Sequence, residues 1–467
     1  MQPLERFVSN LDRDVYAILN LPEEVVAVIF AYVSRSPLSF RENLEKLIAG
    51  DELAISPWLE GNGLAVHEAA ATAAAFHEKW VVGYGHASVA EHAAVHLGIE
   101  RVSRLASATL ELANPYLSFT EYSQRYQQPR RGAFYRPEMT PSEETVYLRA
   151  MDALYDAYEE IKEVIVRHLA ERDGLDLSDP KVRRRLERLS FEDARYVLPL
   201  GMETNLGLSG NARALRDAIV LLRSSPHAEE VALGEAMLRE ASVVAPTLLR
   251  HADASEAVRA RPNGGTPSAQ ATTPVRLLSA APPGAALRRL ASAARPGEDM
   301  SRRTEVELIS VLQSFTPYGP YDVPPASYQI LRYEVAFDLS EAAWHQLLRH
   351  RRRIDFTWSE PGFDGGIVIP PLLVEAGAAK TLHRAEEIAR EAAASLGEGH
   401  SAGRYLILNA HRRSIQASLD LAEVCHLVRQ RGKPDAQWEI RQATLLLRGL
   451  VQGVHPFAWL PQPEGGE

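Results

Sequence analysis

The alternation of hydrophobic and polar positions predicts a chain of mixed helix and strand, with more helix than strand. The clearest stretch begins at Ser142, a predicted N-cap with Glu143 and Glu144 in the first turn. Apolar side chains then recur at helical spacing: Val146, Leu148, Met151, Leu154, Tyr155, Tyr158, Ile161 and Ile165. One long helix is therefore predicted there.

The same reasoning predicts further elements in both halves of the chain. An Ala-rich helix is expected at 68–80 and a strand at 94–99. In the second half, a strand is expected at 328–337, followed by helices at 339–348 and 382–394. Similar elements therefore follow one another in a similar order on each side of the middle.

The spacing after two short arginine-containing segments makes that similarity quantitative. Arg195 lies 33 residues before Ala228, and Arg404 lies 32 residues before Ala436. Matching spacing of this kind indicates a tandem duplication. Few residues are identical between the halves, so the spacing carries more of the argument than the identities do.

The stretch 254–300 differs from the rest because Pro, Gly, Ala, Ser and Thr dominate it. Such a composition buries too little apolar area to offset the entropy of ordering the chain. A flexible linker is predicted, with one short helix near 285–293. The predicted domains are residues 1–253, the linker 254–300, and residues 301–467.

Composition narrows the classes of function. The chain has 467 residues and a formal net charge of −10, which disfavours nonspecific binding to nucleic acid. It has one cysteine, so no intrachain disulfide can form. No secretion signal and no apolar run of the ~18 residues needed to span a bilayer are recognised. We expect a cytoplasmic protein without nucleic-acid or membrane partners.

The run Arg349, His350 and Arg351, followed by two more arginines, has two interpretations. It is either a solvated basic helix end or an anion site, since neighbouring guanidiniums repel unless an anion lies between them. The segment Ser-Phe-Thr-Glu-Tyr-Ser-Gln-Arg-Tyr (118–126) is likewise either a surface loop or a second group of phosphate donors.

Other cofactor motifs are not found. His86 and His92 lack the spacing of a zinc motif, and we expect no metal site. No Gly-x-Gly-x-x-Gly precedes a helix, so a Rossmann site is not expected. A Walker loop and a Gly-x-Ser-x-Gly elbow are also not found.

Taken together, the motifs resemble those of the flavin-dependent thymidylate synthases. The first half carries Gly-His-Ala-Ser-Val-Ala-Glu-His (85–92), the segment 118–126 and Ala-Arg-Tyr-Val-Leu-Pro (194–199). The second half carries Arg-His-Arg (349–351) and Ala-Gln-Trp-Glu-Ile-Arg (436–441). The resemblance implies two tandem thymidylate-synthase-complementing-type domains of the α/β (α+β) class, each a mainly antiparallel sheet packed with helices.

Each half lacks part of the family pattern. In the first half the Arg-His-Arg position reads Ala113-Asn114-Pro115. In the second half Arg-His-Arg is followed by Arg-Arg-Ile-Asp-Phe-Thr, so Glu-x-Ser-x-Arg-Tyr is lost. The losses are complementary, which suggests that a site combines the flavin segment and substrate loop of one half with the arginines of the other. The family's tetramer would then become a homodimer of duplicated chains, a pseudo-tetramer.

The resemblance implies a reaction and a set of residues. The reaction is dUMP, methylenetetrahydrofolate and NADPH giving dTMP, tetrahydrofolate and NADP, with FAD as cofactor. The FAD contacts would be Ser34, His86, Ser88, Glu91, His350, Arg351 and Arg431. The dUMP contacts would be Glu121, Ser123, Arg125, Arg349 and Arg413. Arg441 would lie against the pyrimidine and stabilise negative charge developing on the ring.

Two other functions remain open at this point. One is a noncatalytic flavin- or nucleotide-binding paralogue with a regulatory or partner role, which the missing motif parts favour. The other is a scaffold without ligand. The second fits less well, because retained arginines that are buried and unpaired would be costly.

Overall fold

The computed structural model describes residues 4–33, 36–49, 87–260, 273–313, 318–319 and 321–463. The predicted helix at 68–80, together with Ser34 and His86, lies outside the described residues. The described helices are α1 Glu23–Val33, α2 Phe40–Ala49, α3 Arg104–Ala113, α4 Pro141–Asp173, α5 Pro180–Ala194, α6 Ala212–Arg223, α7 Ala228–Val244, α8 Glu256–Arg259, α9 Pro283–Ala294, α10 Glu305–Gln313, α11 Ala326–Gln329, α12 Glu341–Leu347, α13 Pro371–Glu375, α14 Ala379–Leu396, α15 Leu421–Arg431 and α16 Trp438–Val454. The described strands are β1 Ala94–Ser103, β2 Ser118–Glu121, β3 Glu203–Asn211, β4 Val275–Ala280, β5 Arg332–Ser340, β6 Ile354–Trp358 and β7 Arg412–Asp420. Within the described residues, none of these helices is long and apolar enough to cross a membrane.

The long helix α4 confirms the periodicity and corrects its start. It begins at Pro141, and its N-cap is Thr140 rather than Ser142. Thr140 and Glu143 exchange side-chain and backbone hydrogen bonds in a capping box. Thr140 provides the better cap because proline at the first helical position needs no hydrogen-bond acceptor for its nitrogen. The helix ends at Gly174, whose positive φ suits the left-handed C-cap.

The chain divides into two compact units, each containing one sheet. The first unit is Met1–Val102, Ala106–Tyr122 and Thr204–Arg261. Its sheet has the strand order β1-β3-β2, and β2 pairs antiparallel with β3. Its core includes Leu110, Leu117, Leu215, Ile219 and Met237.

The second unit is Ser103–Leu105, Ser123–Glu203 and Pro262–Glu467. Its antiparallel sheet has the order β4-β5-β7-β6. Apart from the edge strand β4, this repeats the order of the first sheet, with the last strand of the set in the middle. The shared order agrees with a tandem duplication, and the α+β class of mixed helix and antiparallel sheet is confirmed.

A short backbone ladder in the second unit shows the repeat at residue level. Pro199 and Leu408 form an antiparallel bridge, 209 positions apart in the chain. Leu200 N donates to Ile407 O at 2.7 Å, and Asn409 N donates to Leu198 O at 2.8 Å. Asn409 lies 209 positions after Leu200, and Ile407 lies 209 positions after Leu198. The two bonds are therefore counterparts of each other in the repeat. A local twofold relation within one chain therefore joins the two segments.

The segments that precede this ladder in each half keep a constant offset of 237 positions. β1 ends at Ser103 before α3, and β5 ends at Ser340 before α12. Glu121 of β2 pairs with Leu206, and Trp358 of β6 pairs with Ile415. Glu121 and Trp358 are 237 positions apart, and Leu206 and Ile415 are again 209 apart. By this equivalence, Arg349 and His350 correspond to Leu112 and Ala113, one residue earlier than the alignment of motifs indicated. Both counterparts are apolar.

Part of the stretch 254–300 is ordered, which composition did not indicate. β4 pairs antiparallel with β5, in register from Val275 with Phe337. α9 confirms the short predicted helix and packs Leu287 and Ala291 against Met300 and Leu308. The prediction of a flexible linker is therefore wrong for residues 275–294, because pairing and packing with later segments supply what the local composition lacks. The domain boundaries themselves stay a prediction.

Replacing Gly201 with alanine tests the packing around the ladder. A Cβ there would lie 2.7 Å from Met151 Cε and 2.9 Å from Tyr405 O. We expect Gly201→Ala to lower the free energy of unfolding by about 1–3 kcal/mol, the usual cost of overpacking a core. Urea unfolding of the full chain measures it. Gly207→Ala is the matched control because its Cβ would meet no atom of the described residues within 4 Å; equal losses for both variants would contradict the packing argument.

Candidate functional site

The turn that carries Arg349, His350 and Arg351 follows a fully buried helix. Every residue of α12, Glu341–Leu347, is buried. Ser340 caps the helix by accepting a hydrogen bond from Ala343 N. The chain then tightens into a 3-10 turn, Leu348–His350, and Arg351 N donates to Leu348 O at 3.1 Å. The arginines therefore extend from a turn that is held by a buried helix, which differs from a solvated basic helix end.

His350 joins Glu423 and Arg431, which lie near opposite ends of α15. Nδ1 of His350 is 2.9 Å from Glu423 Oε1, and Arg431 Nε donates to His350 Nε2 at 3.1 Å. Arg431 Nη2 also donates to Gln346 O at 3.2 Å. The turn after α12 and the last residue of α15 are thus tied together.

Arg125 and Arg441 both bind the loop 432–437, between α15 and α16. Arg125 Nε donates to Glu192 Oε2 at 2.6 Å, and its Nη2 donates to Asp435 O at 2.9 Å. Arg441 Nε donates to Gly432 O at 3.3 Å. Arg125 of the first half and Arg441 of the second half therefore contact the same loop inside one compact unit.

The start of α16 is held by a buried polar group that fixes where Arg441 emerges. Gln437 caps the helix at Ile440 N, and its Nε2 donates to the hydroxyl of Tyr196 at 2.7 Å. That hydroxyl donates to Glu439 Oε2 at 2.6 Å. These bonds explain two side chains of the motif Ala-Gln-Trp-Glu-Ile-Arg, those of Gln437 and Glu439, and Arg441 follows one turn later.

Positive charge accumulates in this part of the second unit. Burial, followed by the guanidiniums of Arg349 and Arg125, lowers the pKa of Arg431 to about 10. Burial also lowers the pKa of Arg195 to about 10, with Arg104 and Arg125 adding to the effect. A group of guanidiniums that destabilise one another's charge is a site suited to an anion. We call Arg125, Arg349 and Arg431 the arginine cluster.

The same positive charge affects the pKa of His345, which lies inside α12. Burial holds its pKa well below the ordinary value for histidine, and the charges of Arg104, Arg413, Arg349 and Arg195 push it lower. The imidazole is therefore neutral at neutral pH. Neither Arg104 nor His345 was predicted, because one follows an ordinary strand and the other lies in an apolar helix.

Arg413, predicted as a phosphate ligand, lies in a buried ion pair. Its Nε donates to Glu341 Oε1 at 2.7 Å, and its Nη1 donates to Ser359 O at 3.0 Å. Glu341 is the first residue of α12, so this pair links that helix to β7. Phosphate binding by Arg413 stays a prediction. Nη2, its remaining side-chain nitrogen, would have to make that contact.

Ser123 shapes the loop that carries Arg125. Its hydroxyl accepts from Arg125 N at 3.3 Å, and its carbonyl accepts from the backbone nitrogens of Tyr126 and Gln127, both at 3.1 Å. These bonds form a compact turn. Arg351 is half-buried beyond the Leu348–His350 turn. The ligand roles of both residues stay predictions.

Three other predicted residues belong to the first unit. Glu121 is buried at the end of β2 and accepts from the Ser107 hydroxyl at 2.8 Å. Ser88 is exposed in the 3-10 turn Ala87–Glu91, where Glu91 accepts from Arg213 Nη1 at 2.5 Å. The Glu91–Arg213 pair was not predicted, although Glu91 falls in a matched motif.

His350, Glu423 and His426 are a group in the described part of the chain that could hold a metal ion. One ligand atom from each lies within 4.8 Å of the others. However, both ring nitrogens of His350 are already hydrogen-bonded. The positive charge of Arg431 also acts on His350, and that of Arg353 acts on Glu423. Nearby cations oppose a metal ion, so hydrogen bonding accounts for this group better.

A cavity of about 520 Å³ lies elsewhere in the second unit. Its aromatic lining includes Tyr318, Tyr328, Phe457 and Trp459. None of the predicted site residues that the structure describes lines it. The cavity is therefore not the site that the sequence motifs indicate.

Comparison with known proteins decides the family. The sequence model of the thymidylate synthase complementing protein family matches residues 22–247 and 328–457, more than half of the chain and in two regions. The chain belongs to this family. The two matched regions lie on either side of the predicted linker, in agreement with the tandem duplication.

Several relatives are similar over part of their length. A UPF0159 protein of Chlamydia muridarum is 31% identical over 54% of this chain and 49% of its own length. Flavin-dependent thymidylate synthases of Sulfurisphaera tokodaii and Geobacter sulfurreducens are 34% and 32% identical, over 37% and 44% of this chain and 61% and 80% of their own lengths. The chain spans about half the length of the first curated relatives that it matches.

One solved structure is also similar. It is a UMP/dUMP methylase, PolB, from Streptomyces cacaoi bound with 5-Br dUMP. The TM-score is 0.32 and the identity 13%, over 40% of this chain and 94% of that chain.

Proposed function

We propose that the chain is a flavin-dependent thymidylate synthase that methylates dUMP, with methylenetetrahydrofolate as carbon donor and NADPH as reductant. One observation carries the proposal: Arg125 from the first half and Arg349 from the second half both act electrostatically on Arg431 within one compact unit. Arg125 and Arg349 are two of the residues that the family resemblance assigns to dUMP. Relatives named flavin-dependent thymidylate synthases support it.

In this scheme the chain itself binds and orients the substrate. Arg125 and Arg349 hold the phosphate by charge-assisted hydrogen bonds, which are the stronger class of hydrogen bond. Arg441, fixed at the start of α16, faces the pyrimidine and stabilises negative charge that develops on the ring. Most of the protein's contribution is then positioning and electrostatics.

FAD would supply the hydride, and the described residues fit its anionic part better than its ring. Arg351 is a half-buried cation of the kind that binds a pyrophosphate. Arg431, which the resemblance assigns to FAD, is proposed here for the phosphate of dUMP, because Arg349 and Arg125 act on it. His350 uses both ring nitrogens within the protein, so its contact with FAD would be through the face or edge of the ring.

One nucleotide site per chain follows from the repeat. The counterparts of Arg349, His350 and Arg431 by the constant offsets are Leu112, Ala113 and Leu222, which cannot bind a phosphate. The second position has therefore lost its charges. We propose that two chains assemble as a homodimer, in place of a tetramer of single-domain subunits.

The first test is a visible absorption spectrum of the purified full chain, followed by titration with dUMP. We expect a flavin band near ~450 nm that changes on adding dUMP, with a stoichiometry of one dUMP for each chain. A turnover assay for dTMP with methylenetetrahydrofolate and NADPH then follows.

The other outcomes separate the alternatives. A flavin band and dUMP binding without dTMP formation would favour the noncatalytic paralogue. A chain that stays colourless in excess FAD and binds no dUMP would contradict the proposed function. Two dUMP per chain would contradict the loss of the second site.

A further inference from the structure

The hydrogen bonds of His350 define which of its ring nitrogens carries the proton. Arg431 Nε–H can only donate, so His350 Nε2, 3.1 Å away, must accept. Burial, then Arg431 and Arg349, lower the pKa of His350 to about 3, so the ring is neutral at neutral pH. A neutral imidazole has one N–H, which must then lie on Nδ1 and point at Glu423 Oε1, 2.9 Å away.

Glu423 itself is held firmly in place. Its side chain is 4% exposed, as the third residue of α15, and its backbone nitrogen donates to the capping residue Asp420 at 2.8 Å. It has no role in the family motifs that were recognised in the sequence. Burial raises the pKa of the Glu423 carboxyl to about 8, so at neutral pH it is largely the neutral acid, whose carbonyl oxygen still accepts a hydrogen bond. The Nδ1 proton of His350 is the side-chain donor that the structure gives that oxygen.

Arg431 stands at the far end of the same helix. Eight residues, or about 12 Å of helix rise, separate it from Glu423, so the imidazole bridges the two side chains across the face of α15. Arg431 has a second anchor, because its Nη2 donates to Gln346 O. With Nε and Nη2 both bonded, the plane of the guanidinium is fixed relative to the turn that carries Arg349.

We propose that Glu423 is a positioning residue of the nucleotide site. By accepting the Nδ1 proton of His350, it keeps the lone pair of Nε2 directed at Arg431 and so holds that guanidinium beside Arg349 and Arg125 for a bound phosphate. The identity of the ligand rests on the proposed function. The chain of hydrogen bonds from Glu423 to Arg431 does not depend on it.

Two substitutions of Glu423 separate its hydrogen-bonding role from its volume. Glu423→Gln keeps an oxygen that can accept from Nδ1, whereas Glu423→Leu removes the acceptor. Without the acceptor, the ring gains by moving its proton to Nε2, where it opposes Arg431. We expect Glu423→Leu to raise the Kd for dUMP about tenfold, and Glu423→Gln to raise it by no more than about threefold, by calorimetry on the full chain.

Deoxyuridine and a control variant show whether the phosphate is responsible. Deoxyuridine lacks the phosphate, so its affinity should be equal in the wild type and in Glu423→Leu. His426→Leu is the matched control, because His426 lies one turn along α15 and its ring is 5.3 Å from that of His350 without joining the hydrogen-bonded chain. We expect no change in dUMP affinity for it. A loss equal to that of Glu423→Leu would indicate a metal site at these residues and overturn the proposal.

A double substitution tests the route through Arg431. If Glu423 acts through this arginine, adding Glu423→Leu to Arg431→Ala should cause no further loss of dUMP affinity. Additive losses would overturn the proposal, as would equal losses for the Gln and Leu variants or an equal loss for deoxyuridine.

The wild-type chain can be judged without any variant. Nitrogen NMR of histidine-labelled protein should show His350 with a protonated Nδ1 and an unprotonated Nε2. The opposite tautomer would overturn the proposal even if every variant failed to fold. If the wild type shows the expected tautomer but binds neither dUMP nor inorganic phosphate, the function proposed above fails, and so does a role for Glu423 in phosphate binding. The hydrogen-bonded chain alone would then stand.

Discussion

Arg349→Ala is expected to weaken dUMP binding by roughly 30-fold. A hydrogen bond to a charged group contributes about 2 kcal/mol, which corresponds to that change in Kd. Arg349 is half-buried, it lowers the pKa of Arg431, and its own Nε donates to His345 O at 3.1 Å. The side chain is therefore held in position before any ligand binds, so its loss removes a prepared phosphate contact.

Arg352→Ala is the control for this experiment. Arg352 belongs to the same basic run but is exposed, where charges are screened by solvent and salt. We expect its Kd for dUMP to change by less than about twofold. Titration of both variants at two salt concentrations would show the difference. Equal weakening by the two variants would mean that the run acts only through its net charge, and that the arginine cluster is not a defined site.

The distinction between Arg349 and Arg352 could not be drawn from the sequence. Five consecutive basic residues predict positive charge, and they leave open which side chains face the protein. The buried helix α12 and the turn Leu348–His350 decide it, and both depend on packing against later segments. The motif indicated the kind of ligand, and the tertiary structure selects the arginines.

The regular elements were more accessible to sequence reasoning than the connections between them. The helix α4 follows a periodic pattern over many turns, so its existence was predicted and only its cap was misplaced. By contrast, the ladder around Pro199 and Leu408 pairs backbone groups, which any side chain would permit. Likewise β4, which reads Val-Arg-Leu-Leu-Ser-Ala, forms because β5 offers an edge, and the residues rich in Pro, Gly and Ala on both sides hid this strand in the sequence. Pairing over long distances leaves little local signal.

The candidate site shows the same division. Arg125, Arg349 and Arg441 were recognised because they stand in motifs that resemble those of a family. Glu192, which orients Arg125 by an ion pair, lies outside those motifs. It is 67 positions from Arg125 in the sequence, and only the fold brings the two side chains together. Supporting residues of this kind are identified by geometry.

Arg441→Ala should lower turnover far more than it lowers dUMP affinity. If Arg441 stabilises charge that develops on the pyrimidine, kcat should fall on the order of 10²–10³-fold, the effect of removing one such donor. Its Kd for dUMP should change little, because the phosphate contacts remain. Arg448→Ala is the matched control, since Arg448 lies two turns further along α16 and donates to Pro461 O. A change in Kd as large as the change in kcat would place Arg441 among the binding residues.

Mixing chains tests where the site lies. Arg125 and Arg441 both bind the loop 432–437 within one compact unit, so each chain should need both residues. A mixture of Arg125→Ala and Arg441→Ala chains, unfolded and reassembled together, is therefore expected to recover no activity beyond that of the two variants. If sites were formed between chains, part of the reassembled dimers would hold one intact site, and turnover would return. Recovery would require the arginine cluster of one chain to serve the substrate loop of another, which the position of Arg125 argues against.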